Sequence, residues 1–172
     1  MIRRRTGAAL AALALAGALL PACGRRAATE KSPAVVDAAG LQQRVADAKG
    51  HPLLLVFWAT WCKPCVEELP ALVTLQDEAP QGLRLVAVSL DHFLSGPTTP
   101  QVVADWLQTH PVELQHLIYA GTQDALFNAF DLPGSIPYAI LYDAQGRVLQ
   151  RYEGQTEPAA VRTALAAAGT GG

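Results

Sequence analysis

Six consecutive apolar residues, Leu53 to Trp58 (LLLVFW), run into the turn residues Thr60 and Trp61 and then into CKPC and a helical stretch. A strand with one face in water alternates apolar and polar positions. An unbroken apolar run needs cover on both faces, as for a strand inside a parallel sheet with helices above and below it. Leu83 to Leu90 (LRLVAVSL) is a second run of this kind. Two buried strands separated by a helical segment restrict the chain to an α/β architecture.

The remaining elements follow from periodicity and breakers. Val36, Ala39, Leu41, Val45 and Ala48 predict a helix over Val35 to Lys49, stopped by Gly50, His51 and Pro52. From Cys62 the chain is predicted helical, with Leu69, Leu72 and Val73 on one side and a kink at Pro70. A polar loop, DHFLSGPTTP, is expected after the second strand, and Pro100 is expected to open a helix carrying Val103, Trp106 and Leu107 that ends at Pro111. A short strand over Leu114 to Tyr119 and a short helix over Gln123 to Phe130 come next. Strands over Tyr138–Tyr142 and Arg147–Tyr152, joined by the turn DAQG, form a hairpin, and a helix over Glu157 to Ala168 closes the chain. Alternating strands and helices followed by a hairpin and a helix imply a mixed sheet covered on both faces.

At 172 residues there is material for one domain of ordinary size. The start, MIRRRTGAALAALALAGALLPAC, joins a basic cluster (Arg3, Arg4, Arg5) to an apolar stretch from Ala8 to Leu20. That stretch is shorter than the roughly 20 residues needed to span hydrocarbon, and its pattern is that of an export signal. Leu20, Pro21, Ala22 and Cys23 resemble the bacterial lipobox, which implies cleavage before Cys23 and lipid on that residue. The expected organisation is a signal peptide over 1–22, a flexible tether over 23–33, a folded domain over 34–168 and a frayed tail over 169–172. Cleavage would remove three of thirteen basic residues, leaving ten against fifteen acidic ones, a net charge of −5. That balance does not suit nucleic acid, and a basic stripe with interleaved aromatics, the footprint of a nucleic-acid binder, is absent.

Of three cysteines, Cys62 and Cys65 stand three apart at the mouth of a helix. Such a pair can be a zinc half-site, a structural disulfide or a redox centre. A structural zinc site needs four ligands, and His51, His92, His110 and His116 show no ligand spacing, so no metal is expected. If Cys23 carries lipid, an intramolecular disulfide must join Cys62 to Cys65.

The stretch FWATWCKPC after a buried strand, with Ile136 and Pro137 before a later strand, resembles the thioredoxin fold. WCKPCVEELP fits W-C-x-P-C-x-x-E-x-P, and the helix and strand between Thr99 and Tyr119 resemble the insertion of the TlpA and ResA branch, over about residues 34 to 168. That branch comprises membrane-tethered thiol:disulfide oxidoreductases facing the outside of the bacterial cytoplasmic membrane, many serving cytochrome c maturation. The resemblance implies a thioredoxin-like mixed sheet flanked by helices, and protein substrates bearing cysteines. It also implies a membrane thiol-reducing donor, no cofactor beyond the redox disulfide, and a monomer on the periplasmic side of a membrane.

The chemistry assigns roles within that resemblance. Cys62 lies where a helix amino terminus favours a thiolate, which makes it the nucleophile, and Lys63 adds a weak positive charge. Cys65, one turn inward, resolves the mixed disulfide. Glu68, three residues on from Cys65, shares its helical face and is the expected base for the resolving thiol, because Val56 holds the strand position where thioredoxin keeps a buried aspartate. Glu67 reads as a solvated acid. Pro137 is expected to be cis, with the Ile136 backbone exposed to pair with substrate. Trp61 is the expected substrate contact in preference to Trp58, and Asp91 opens a loop suited to choosing substrate. Two other functions use the same sulfurs: an oxidase running the flow in reverse, and a copper chaperone, against which the single methionine counts.

Overall fold

The computed structural model describes residues 33–79 and 82–169. In chain order the elements are β1 (Ala34–Val36), α1 (Ala38–Asp47), β2 (Leu53–Trp58), α2 (Lys63–Glu78), β3 (Arg84–Ser89) and α3 (His92–Ser95). A 3-10 turn (Gly96–Thr98) leads to α4 (Thr99–Thr109), β4 (Gln115–Tyr119), α5 (Gln123–Phe130), β5 (Tyr138–Tyr142), β6 (Val148–Glu153) and α6 (Pro158–Gly169). The strands form one sheet in the order β1-β4-β3-β2-β5-β6. β1, β4, β3 and β2 run parallel, and the β5–β6 hairpin joins antiparallel to β2.

β2 is buried at all six positions, and its side chains divide the interior. Leu54, Val56 and Trp58 face one layer with Cys65, Leu69 and Leu72 of α2, Val103 of α4, and Val161 and Leu165 of α6. Leu53, Leu55 and Phe57 face the other, with Leu41 of α1 and Leu126 and Phe130 of α5. Successive strand residues point to opposite faces, so an all-apolar strand is what two helical layers require. The central position of β2 sets Cys62, four residues beyond its end, at the carboxyl edge of the parallel strands, where open α/β sheets place their sites.

Three local expectations are corrected. The predicted first helix starts three residues late, because Ala34–Val36 is an edge strand paired with Leu117–Tyr119, and α1 begins behind Asp37, whose side chain accepts the Gly40 N–H at 2.8 Å. The expected polar loop after β3 is wound into α3 and the 3-10 turn, and Thr99 rather than Pro100 is the first residue of α4. The closing helix runs one residue further than expected, to Gly169.

Candidate active site

Cys62 is the N-cap of α2, its backbone extended at φ −87° and ψ 93°, with its N–H donating to the Ala59 carbonyl at 3.1 Å. Pro64 occupies the first turn, where its missing N–H is no loss. Cys62 and Cys65 are joined by a disulfide, with Cα atoms 5.3 Å apart. The sulfurs are unequal in access: Cys62 is 6% exposed and Cys65 is completely buried. An incoming partner therefore meets Cys62 first.

Glu68 lies one turn beyond Cys65 and is buried, as is rare for an unpaired carboxylate. Its Oε2 accepts the Thr156 N–H at 2.6 Å, and its Oε1 is buried without a hydrogen-bond partner. Burial is the main force raising its pKa, to about 7; the Thr156 bond opposes the shift and the Glu157 charge adds to it. Glu67, by contrast, is exposed and paired with Lys63 at 3.7 Å, which leaves the lysine charge in solvent and facing a carboxylate.

The Ile136–Pro137 peptide is cis. Beside it runs a segment that sequence reasoning did not single out. Gly154, at φ 78°, donates its N–H to the Pro137 carbonyl at 3.0 Å, the Gln155 side chain donates to the Pro64 carbonyl at 3.1 Å, and Thr156 supplies the bond to Glu68. Three consecutive residues after β6 thus tie Pro137, the proline between the cysteines and the buried acid together. Their partners lie up to 91 residues away, and the only local signal was the glycine at a strand end.

Trp61 is 53% exposed and lines a cleft of about 260 Å³ with Phe93, Leu94, Phe127, Ile136 and Tyr138. Leu94 projects from α3 at 72% exposure. Trp58 is fully buried and packs at 5.0 Å from the Trp106 ring and 5.6 Å from His116, so it is core. The structure thus brings Trp61 and Ile136 to one cleft and Cys62, Cys65 and Glu68 to one helix. Asp91 is fully buried and stands at the head of the segment that leads from β3 into α3. Cys23, the signal peptide, residues 23–32 of the tether and residues 170–172 of the tail lie outside the described residues. No helix among the described residues is long and apolar enough to cross a membrane, and no group of three or more His, Cys, Asp or Glu there could hold a metal.

Residues 24–167 match the AhpC/TSA family. The chain is 37% identical over 94 residues to the thioredoxin-like protein YneN of Bacillus subtilis, covering 55% of this chain and 54% of that one. It is 27% identical over 122 residues to the thiol-disulfide oxidoreductase ResA of Bacillus cereus, covering 70% of this chain and 65% of that one. Thus it spans between half and two thirds of the length of these curated relatives. Among solved structures, a thioredoxin-family thiol:disulfide interchange protein from Chlorobium tepidum superposes with a TM-score of 0.54 at 26% identity, over 72% of this chain and 83% of that one. With the fold, the Cys62–Cys65 pair and the match over residues 24–167 in agreement, this chain belongs to the AhpC/TSA family, as a thioredoxin-like homologue of ResA and YneN.

Proposed function

We propose that the chain is an extracytoplasmic thiol:disulfide oxidoreductase that reduces disulfides in proteins. The observation that carries the reading is the Cys62–Cys65 pair at the start of α2 with Glu68 buried one turn beneath it. The names of its relatives, thioredoxin-like protein and thiol-disulfide oxidoreductase, support it. In the dithiol form the Cys62 thiolate, favoured by the α2 amino terminus, attacks one sulfur of the substrate disulfide. A Cys62–substrate bond forms, the substrate bond breaks, and one substrate thiolate leaves. Cys65 then gives its proton to Glu68 and attacks the Cys62 sulfur, which expels the second substrate thiolate. The substrate gains two electrons and the pair is left as a disulfide. Glu68 and solvent return the two protons that the substrate thiols take up.

Trp61, Ile136 and Pro137 are the proposed substrate contacts, the first two lining the cleft and Pro137 following Ile136 directly. A membrane thiol donor restores the dithiol. The segment from Arg3 to Cys23 supports export, with lipid attachment at Cys23 to the outer side of a membrane. The likeness to the TlpA and ResA branch extends the proposal to cysteine-bearing apoproteins of cytochrome c maturation. The test is trapping: the full chain with Cys65→Ala, expressed in an exporting bacterium, is expected to accumulate mixed disulfides on Cys62 that mass spectrometry identifies. Absence of any adduct, with no insulin reduction by the unaltered chain, would overturn the reading.

A further inference from the structure

Asp91 is fully buried at the end of β3, and every hydrogen bond its carboxylate makes comes from a donor. The Thr60 N–H reaches Oδ1 at 3.2 Å and Oδ2 at 3.1 Å, the Thr60 hydroxyl donates to Oδ1 at 2.6 Å, and the Ser89 hydroxyl donates to Oδ2 at 2.7 Å. Ser89 is itself held by the Asp91 N–H at 3.2 Å. Thr60 sits two residues before Cys62, in the turn that leads from β2 into α2. Asp91 also starts α3: its carbonyl accepts the Leu94 N–H at 3.0 Å and the Ser95 N–H at 2.7 Å. One buried residue therefore fastens the turn that carries Trp61 and Cys62 to the short helix that carries Phe93 and Leu94, the two walls of the cleft.

A buried acid with several donors is costly to assemble, since each donor loses water to serve it. A stable turn alone needs no charge there. Resting on the thiol-exchange reading, we propose that Asp91 is a positioning residue for the Cys62–Cys65 couple, its carboxylate anchoring the turn that presents Trp61 and Cys62 and setting a fixed negative charge behind it. The other charged or titratable groups about the turn are Lys63 and Glu67, paired in solvent, Glu68 beneath Cys65, Glu157 at the start of α6, and His92, whose ring is bound to the Gly96 carbonyl. A negative charge at Thr60 opposes the thiolate that the α2 amino terminus favours. It disfavours the reduced side of the couple, in which Cys62 is the thiolate and Cys65 the thiol, and so makes the protein a stronger reductant.

The test compares the unaltered full chain with Asp91→Asn, which keeps the shape and removes the charge. Two readings are taken: thiolate absorbance against pH, and the dithiol fraction at equilibrium with glutathione. The expected result is a Cys62 midpoint at lower pH and an equilibrium shifted about threefold or more toward the dithiol. An unchanged midpoint and equilibrium, even with lower resistance to denaturant, would make Asp91 a structural residue only and overturn the proposal. Should Asp91→Asn not fold, Thr60→Val removes the 2.6 Å hydroxyl contact from the turn's side and leaves the core carboxylate in place. The proposal then requires slower attack by Cys62 on a peptide disulfide at unchanged circular dichroism, and an unchanged rate overturns it. Failure of the unaltered chain to reduce any disulfide would instead sink the thiol-exchange reading, because the titration and the glutathione equilibrium need only the two sulfurs.

Discussion

Glu68 and Asp91 are both buried carboxylates bonded within the region that carries the disulfide, and they are furnished in opposite ways. Asp91 receives donors on both oxygens from Thr60 and Ser89. Glu68 receives one, from Thr156, and keeps an oxygen buried with nothing to bond. A carboxylate whose acceptor sites are filled holds its neighbours still. One with an empty site in a desolvated place is ready to take a proton, and its pKa moves to about 7, near the pH at which a general base works best. The contrast teaches that two carboxylates hidden from water can differ in how many of their acceptor sites the protein fills.

The largest effect concerns the two sulfurs themselves. Cys62→Ser is expected to reduce insulin-disulfide reduction to background, whereas Cys65→Ser should still attack and then stall as a covalent adduct seen by mass. If both variants trap substrate equally, the unequal burial of the two sulfurs has no functional meaning. Next, Glu68→Gln keeps the size and removes the proton acceptor. Single-turnover resolution of a mixed disulfide is expected to slow by about a hundredfold, with loss of the inflection near pH 7 in the unaltered protein. An equal slowing by Asp91→Asn with the inflection retained would sharpen the division into one acid that moves protons and one that holds the turn.

His116 is a control for burial without proton transfer. Its ring packs against Trp58, and burial lowers its pKa from 6.5 to about 4. Its neutral form is therefore favoured in the folded state. The stability this supplies is full above pH 6.5 and is lost as pH falls toward 4, by about 3 kcal/mol over the interval. His116→Phe is expected to flatten that acid limb in urea titrations without altering the reduction rate at neutral pH. The smallest effect is at Trp61, half in solvent on the cleft wall. Trp61→Ala is expected to raise KM for a protein disulfide about three- to tenfold and to leave a small-molecule disulfide unaffected.

How much of this was legible in the sequence varied with how local the cause was. β2, α5 and β5 fell on their predicted residues because the patterns that mark them lie within each segment. β1 escaped because three residues with Val35 half exposed become a strand only by pairing with Leu117–Tyr119, more than eighty positions away. The placement of Glu68 on the same helical face as Cys65 followed from spacing, since a helix brings positions three apart together. The Gly154–Thr156 clasp and the Asp91–Thr60 anchor were not found, because their partners are set by sheet order and crossover geometry.

The central claim is that Glu68 is a buried acid that exchanges its proton near neutrality, and the pH dependence of stability tests it most directly. The folded pKa of about 7 lies above the ordinary 4.5, so the folded disulfide form holds the proton more tightly than the unfolded chain does. Stability from this group is full below pH 4.5 and declines as pH rises toward 7. Glutamine at position 68 carries no such dependence. Urea unfolding of the oxidised protein, followed from pH 4 to 8 for the unaltered chain and Glu68→Gln, cancels the His116 contribution in the difference. The account predicts that the variant gains on the unaltered chain by about 3 kcal/mol across that range, with most of the change between pH 4.5 and 7. Parallel curves would contradict it, and would make Glu68 an ordinary acid with no part in resolving the mixed disulfide.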